Sequence, residues 1–143
     1  MSQRYLEEVL AWVGTKEVKG AVANPDIVKF SSYTSLKATS DEIAWCSSFV
    51  NFIVATCGDK PTGSAAARSW LDWGVVLRDP RPGCVVIIDR KDAANPHAAH
   101  VTFYVCDDVK PDYIQCIGGN QGDMVRMSVY AKSKVLGYRD VSR

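Results

Sequence analysis

The sequence lacks any long apolar run, and none of its 143 residues belongs to a stretch approaching the roughly 18 apolar positions of a membrane-spanning helix. It also lacks a dense run of one charge, since 17 basic and 16 acidic residues give a net charge of only +1. Binding along a row of phosphates needs clustered Lys and Arg. Neither a membrane span nor nucleic-acid binding is therefore expected.

Histidine is scarce, with only His97 and His100, and no Cys-x-x-Cys pair accompanies them. A zinc site normally draws on such spacings, so neither a metal nor another cofactor is expected. The five cysteines are an odd number, which leaves at least one thiol unpaired. Because the N-terminal segment also does not resemble a signal peptide, we expect synthesis in the cytoplasm and no disulfide framework.

Four helices are predicted in the first half of the chain, from the spacing of apolar residues and from capping signals. The first covers the N-terminal segment up to Gly14, and the second follows Asn24-Pro25-Asp26. The third carries an apolar stripe and ends at Gly58, and the fourth, rich in alanine, runs from Ser64 to Gly74. The stripe of the third helix consists of Cys46, Phe49, Val50, Ile53 and Val54.

Beyond Pro80 the pattern changes to short runs rich in β-branched and aromatic residues, separated by Pro, Gly, Asn and Asp. The runs are CVVIID, HVTFYVC, YIQCI, MVRMSVY and VLGYR. Helices followed by strands, without alternation, predict an α+β domain whose helices pack on one antiparallel sheet. We expect a single domain over residues 1–143, helical to about residue 75 and a sheet from about residue 76.

A candidate nucleophile, Cys46, lies near the start of the third helix, where the helix dipole lowers the pKa of a thiol. Thr39 and Glu42 match a capping box that would start this helix earlier and weaken that effect. His100 opens a strand after a polar loop, a suitable position for a general base. By pattern alone, each residue is also compatible with a purely structural role.

A third polar group normally orients the imidazole, and the segment GGNQGD offers Asn120, Gln121 and Asp123 between two strands. We predict that Asn120 has this role. The same segment is also compatible with a simple hairpin turn, because glycine and asparagine tolerate positive φ angles.

The order of EIAWCSSFVNF, SAAARSWLDWG, PGCVVII, HVTFYV, GGNQGD and LGYR resembles that of the CHAP-like and NlpC-like cysteine amidohydrolases of bacterial cell walls. The resemblance implies a papain-like fold in which Cys46 is the nucleophile, His100 the base and Asn120 the orienting residue. Two positions depart from the family pattern, namely Cys84 in place of an aspartate and Ala44 in place of a proline.

The resemblance further implies a monomeric peptidoglycan hydrolase, of the single-domain phage endolysin type or a secreted effector, that cleaves an amide of the stem peptide. Asp41, Glu42, Trp45 and Gln121 are expected to line the substrate or oxyanion site. The expected location is the cytoplasm during synthesis and the periplasmic cell wall after release. Two alternatives stay open, a non-catalytic virion or wall-binding domain of the same fold and a toxin-type deamidase or protease.

Overall fold

The computed structural model describes residues 3–16, 25–31, 33, 45–90, 98–121 and 124–141. Within these ranges, helices come first in the chain and a six-stranded antiparallel sheet follows. The α+β class predicted from the sequence is therefore confirmed. None of the described helices is long and apolar enough to cross a membrane.

The elements are numbered in chain order. The α-helices are α1 (Gln3–Leu10), α2 (Pro25–Ser31) and α3 (Cys46–Thr56). The strands are β1 (Val75–Leu77), β2 (Val85–Asp89), β3 (Ala99–Asp107), β4 (Tyr113–Gly118), β5 (Arg126–Ala131) and β6 (Val135–Asp140).

Helix α3 is the central helix of the fold, and every residue from Cys46 to Val54 is buried. Ser47 and Asn51, two of the three polar residues in this stretch, have side chains that form hydrogen bonds, as buried polar groups require. Ser47 Oγ accepts a hydrogen bond from the Trp70 indole at 2.9 Å, and Asn51 Oδ1 accepts one from the Gly63 backbone at 2.7 Å. Gly58 follows the helix with a φ of 87°, as expected for a terminating glycine.

The predicted fourth helix, Ser64 to Gly74, is wrong, because this segment forms only a 3-10 helix at Ala67–Asp72. Tertiary hydrogen bonds explain the difference. The Ser47 hydroxyl donates to the Ser64 carbonyl at 2.7 Å, and Asn51 Nδ2 donates to the same carbonyl at 3.1 Å. That carbonyl would otherwise accept the first bond of an α-helix, so α3 overrides the local helix propensity of the alanines.

The strands form one sheet in the order β1-β6-β2-β3-β4-β5, with every neighbouring pair antiparallel. Strand β1 is not predicted from the sequence, because three residues are too short a run to signal a strand. Residues of β3 alternate between the two faces of the sheet. Val101 and Phe103 pack in the core shared with the helices, whereas Tyr104 lies in a second apolar cluster on the other face.

Candidate active site

Cys46 is the first residue of α3, with Trp45 as the residue that precedes the helix. This start places the thiol at the positive end of the helix dipole, where a thiolate is stabilised. Thr39 and Glu42, which could have started the helix earlier, lie outside the described residues. Only 7% of Cys46 is exposed, and burial raises the pKa of its thiol, while the backbone N–H groups of Val101 and Ser47 act in the opposite direction.

The Cys46 thiol lies close to strand β3. Helix α3 packs on this strand, and Cys46 and Val101 belong to the same buried cluster. Val101 follows His100 in the sequence, and its backbone lowers the pKa of the Cys46 thiol. The thiol therefore lies beside the part of β3 that carries the histidine.

The start of α3 approaches the chain closely just after β4. A Cβ atom on Gly119 would lie 2.6 Å from the Trp45 ring and 2.8 Å from the Phe49 Cβ. Only glycine allows this approach, because any other residue would push the helix away. Trp45 is fully buried and its ring stacks on Phe30 at a centroid distance of 6.0 Å. This packing favours a role in positioning Cys46 over the substrate contact expected from the sequence.

His100 is the second residue of β3 and is only 1% exposed. Its Nε2 lies 3.0 Å from Gln121 Oε1, and its ring centroid lies 5.5 Å from that of Tyr130. The pKa of His100 is lowered to about 4, mainly because the ring is buried. The hydrogen bond with Gln121 raises this pKa, and the charge of Arg90 lowers it further. The imidazole is therefore neutral at pH 7 and free to accept a proton.

Gln121 fixes the tautomer of this imidazole. Its Nε2 donates to the Arg126 carbonyl at 2.6 Å and to the Cys116 carbonyl at 3.3 Å, which sets the orientation of the amide. The Oε1 atom then faces Thr102, whose hydroxyl donates to it at 2.7 Å, and His100. Because a carbonyl oxygen can only accept, we assign the hydrogen to Nε2 of His100 and the lone pair to Nδ1.

Asn120, the predicted orienting residue, has a φ of 58° in the turn between β4 and β5. Among the described residues, the side-chain hydrogen-bond partner of the His100 ring is the neighbouring Gln121. The orienting role of Asn120 stays a prediction. Asp41, Glu42, His97 and Asp123 lie outside the described residues.

Sequence reasoning did not single out Thr102, Tyr130 or Arg90 near this site. Thr102 was detectable, because it lies two residues after His100 on the same strand and so faces the same side. Tyr130 lies on β5 and Arg90 directly follows β2, and no local pattern links either residue to the histidine.

Chemically, the arrangement is a buried thiol at a helix start, beside a strand that carries a neutral imidazole of fixed tautomer. Nucleophilic catalysis needs a thiol, an acceptor for its proton and a group that orients the acceptor. Among the described residues, no group of three or more His, Cys, Asp or Glu side chains could hold a metal ion.

No protein-family model and no curated protein matches the sequence. Among solved structures, the chain is similar to a protein of Staphylococcus aureus subsp. aureus Mu50 described as similar to lipoprotein, NLP/P60 family. The TM-score is 0.58 at 16% sequence identity. The match covers 99% of this chain and 41% of the staphylococcal chain, so this chain spans less than half the length of that protein.

The comparison contradicts the expected location. Synthesis in the cytoplasm without a signal peptide, followed by later release, does not agree with a structural neighbour described as similar to a lipoprotein. Lipoproteins are anchored to a membrane or secreted, and the prediction of location from the N-terminal segment is therefore wrong. What the comparison establishes for this chain is its fold, which is the papain-like α+β fold of a protein described as belonging to the NLP/P60 family.

Proposed function

We propose that this chain is a cysteine peptidoglycan hydrolase that cleaves an amide bond of the stem peptide. The observation that carries the proposal is the Cys46 thiol at the start of α3, in the same buried cluster as Val101, the residue next to His100. The fold shared with an NLP/P60 protein and the order of the cell-wall amidohydrolase motifs support it. In the finer form of the proposal, residues 1–143 are a single catalytic domain that serves host-cell lysis.

In the proposed reaction, Nδ1 of His100 accepts the thiol proton of Cys46 and the sulfur attacks the amide carbonyl carbon. The oxyanion that forms accepts a hydrogen bond from the backbone N–H of Cys46. The C–N bond then breaks, His100 returns the proton to the leaving amine, and a thioester remains. Water, deprotonated by His100, attacks the thioester and releases the carboxylic acid and the thiol.

Gln121 holds the imidazole throughout this cycle as a positioning residue. Its Oε1 accepts the Nε2 hydrogen of His100 and stabilises the positive charge that forms when Nδ1 takes the proton. Asn120, Asp41 and Glu42 remain candidates for further contacts with the substrate or the oxyanion.

The proposal is tested by digesting purified sacculi and analysing the soluble products by liquid chromatography and mass spectrometry. We expect fragments that have gained one water at a single type of amide bond. A new lactyl carboxylate would identify an amidase, and a new amino terminus within the stem would identify an endopeptidase. The absence of any released fragment, from sacculi of both the diaminopimelate and the lysine type, would contradict the proposal.

Replacing Gln121 by leucine is expected to lower kcat by about ten- to a hundredfold with little change in KM, because the imidazole loses its orientation. The same change removes a hydrogen bond that raises the pKa of His100. Activity that requires the neutral imidazole is lost as the pH falls through about 4 in the wild type. In the variant this acid limb should move to lower pH, which a pH profile of kcat/KM measures.

Thr102→Val is the matched control for Gln121→Leu. It removes the other hydrogen bond to Oε1 but leaves the contact between Gln121 and His100 in place. We expect its acid limb to stay at the wild-type pH. Equal pH profiles in wild type and Gln121→Leu would argue that Gln121 only fills space.

A further inference from the structure

Arg90 lies at the His100 end of strand β2. Ile88 is the cross-strand partner of His100, and the ladder continues to Arg90, whose N–H donates to the Ala98 carbonyl at 3.0 Å. Residues two apart on a strand face the same side. Arg90 is therefore the diagonal neighbour of His100 on one face of the sheet, a relation that separates such residues by about 7–8 Å.

The charge of Arg90 acts on all three titratable side chains gathered here. It lowers the pKa of the Cys46 thiol, of the His100 imidazole and of the Tyr130 hydroxyl, although burial is the largest influence on each. Arg90 itself is exposed, and within the described ranges its guanidinium forms no salt bridge. A cation thus stands at the solvent side of a buried, otherwise neutral site.

We propose that Arg90 determines substrate specificity by binding a carboxylate of the substrate next to the scissile amide. This inference rests on the proposed function and names the substrate class as acidic stem peptides. The planar guanidinium presents paired donors that match both oxygens of a carboxylate. Peptides whose carboxylate at this position is converted to a carboxamide are poor substrates.

Binding of a carboxylate also changes the basicity of His100. The free guanidinium disfavours a protonated imidazole, because the two positive charges repel each other. A carboxylate paired with Arg90 offsets this repulsion, so His100 becomes a better acceptor for the thiol proton once the acidic substrate is bound. The preference for acidic peptides therefore extends to kcat and is not confined to binding.

The test uses two synthetic muramoyl stem peptides that differ only in the glutamate carboxylate, which is free in one and a carboxamide in the other. Calorimetry with the Cys46→Ala variant measures binding without turnover. We expect the acidic peptide to bind roughly tenfold more tightly, as one charge-assisted contact provides, and the ratio to shrink with added salt. Arg90→Gln, introduced into the same background, should reduce the ratio to about one, and Arg90→Lys should keep part of it.

Arg78→Gln is the matched control, because Arg78 is an exposed arginine that follows β1 and lines a separate cavity with Tyr104 and Tyr138. It should leave the ratio unchanged. Equal binding of the two peptides, or a ratio that survives Arg90→Gln, would overturn the assignment of Arg90. Carboxylate-dependent binding without cleavage of either peptide by the wild-type protein would instead count against the proposed hydrolase and leave Arg90 as a binding residue.

Discussion

Replacing Cys46 by alanine is expected to lower the rate of amide cleavage by roughly a thousandfold or more, because the reaction loses its nucleophile. Cys46→Ser should be almost as inactive, since a hydroxyl is a far weaker nucleophile than a thiol beside the same imidazole. Both changes are small and remove no hydrogen-bond donor from the core other than the thiol. The release of soluble fragments from sacculi measures activity, and circular dichroism checks that the fold is kept.

Cys106→Ala is the control for these variants, because Cys106 is an exposed thiol near the far end of β3. It should retain wild-type activity. If Cys46→Ala and Cys46→Ser both kept cleaving the wall, the thiol mechanism would be wrong. Inactive wild-type protein with an intact fold would favour the alternative of a non-catalytic wall-binding domain.

Gly119→Ala is expected to lower the free energy of unfolding by about 1–3 kcal/mol, the usual cost of forcing a methyl group into a filled core. The added Cβ would meet the Trp45 ring at 2.6 Å and Phe49 at 2.8 Å. Because Trp45 immediately precedes Cys46, relief of the clash moves the nucleophile. We therefore expect kcat to fall together with stability, as measured by urea unfolding and by turnover of the acidic stem peptide.

Gly137→Ala is a matched control on strand β6. Its added Cβ would meet the guanidinium of Arg139 at 2.6 Å. This end of a long side chain can shift, at the expense of its hydrogen bonds to the Leu71 and Tyr138 carbonyls. We expect a loss of stability of at most about 1 kcal/mol and unchanged kcat. A Gly119→Ala protein as stable and active as the wild type would show that the start of α3 is not held as tightly as the packing indicates.

The parts of the fold that the sequence predicts well are those with a repeating apolar pattern. The alternation along β3 and the turn residues around the later strands were sufficient to place five of the six strands. The 3-10 helix at Ala67–Asp72 was not predictable, because the Ser64 carbonyl that would start an α-helix accepts hydrogen bonds from Ser47 and Asn51. These residues lie on another helix, and local propensity contains no information about them.

The candidate site, like the fold, is predicted only in part from the sequence. A cysteine near a helix start and a histidine near a strand start are visible in the sequence, and the motif order relates them. Nothing in GGNQGD distinguishes Asn120 from Gln121 as a partner for the imidazole. The conformation of the turn distinguishes them. Asn120 takes the left-handed conformation, which asparagine tolerates, and the side chain of Gln121 is then directed into the core. The position of Arg90 beside His100 depends on the register between β2 and β3, which a single sequence does not determine.

The end of β4 at Gly118 makes strand length important for function in this protein. Just beyond it the chain enters a turn in which Asn120 takes the left-handed conformation and Gln121 reaches back to His100. If β4 continued, the chain would carry Gln121 onward along the strand and away from the imidazole. The sheet thus ends one of its strands early, and the residues that follow hold the proposed base in place.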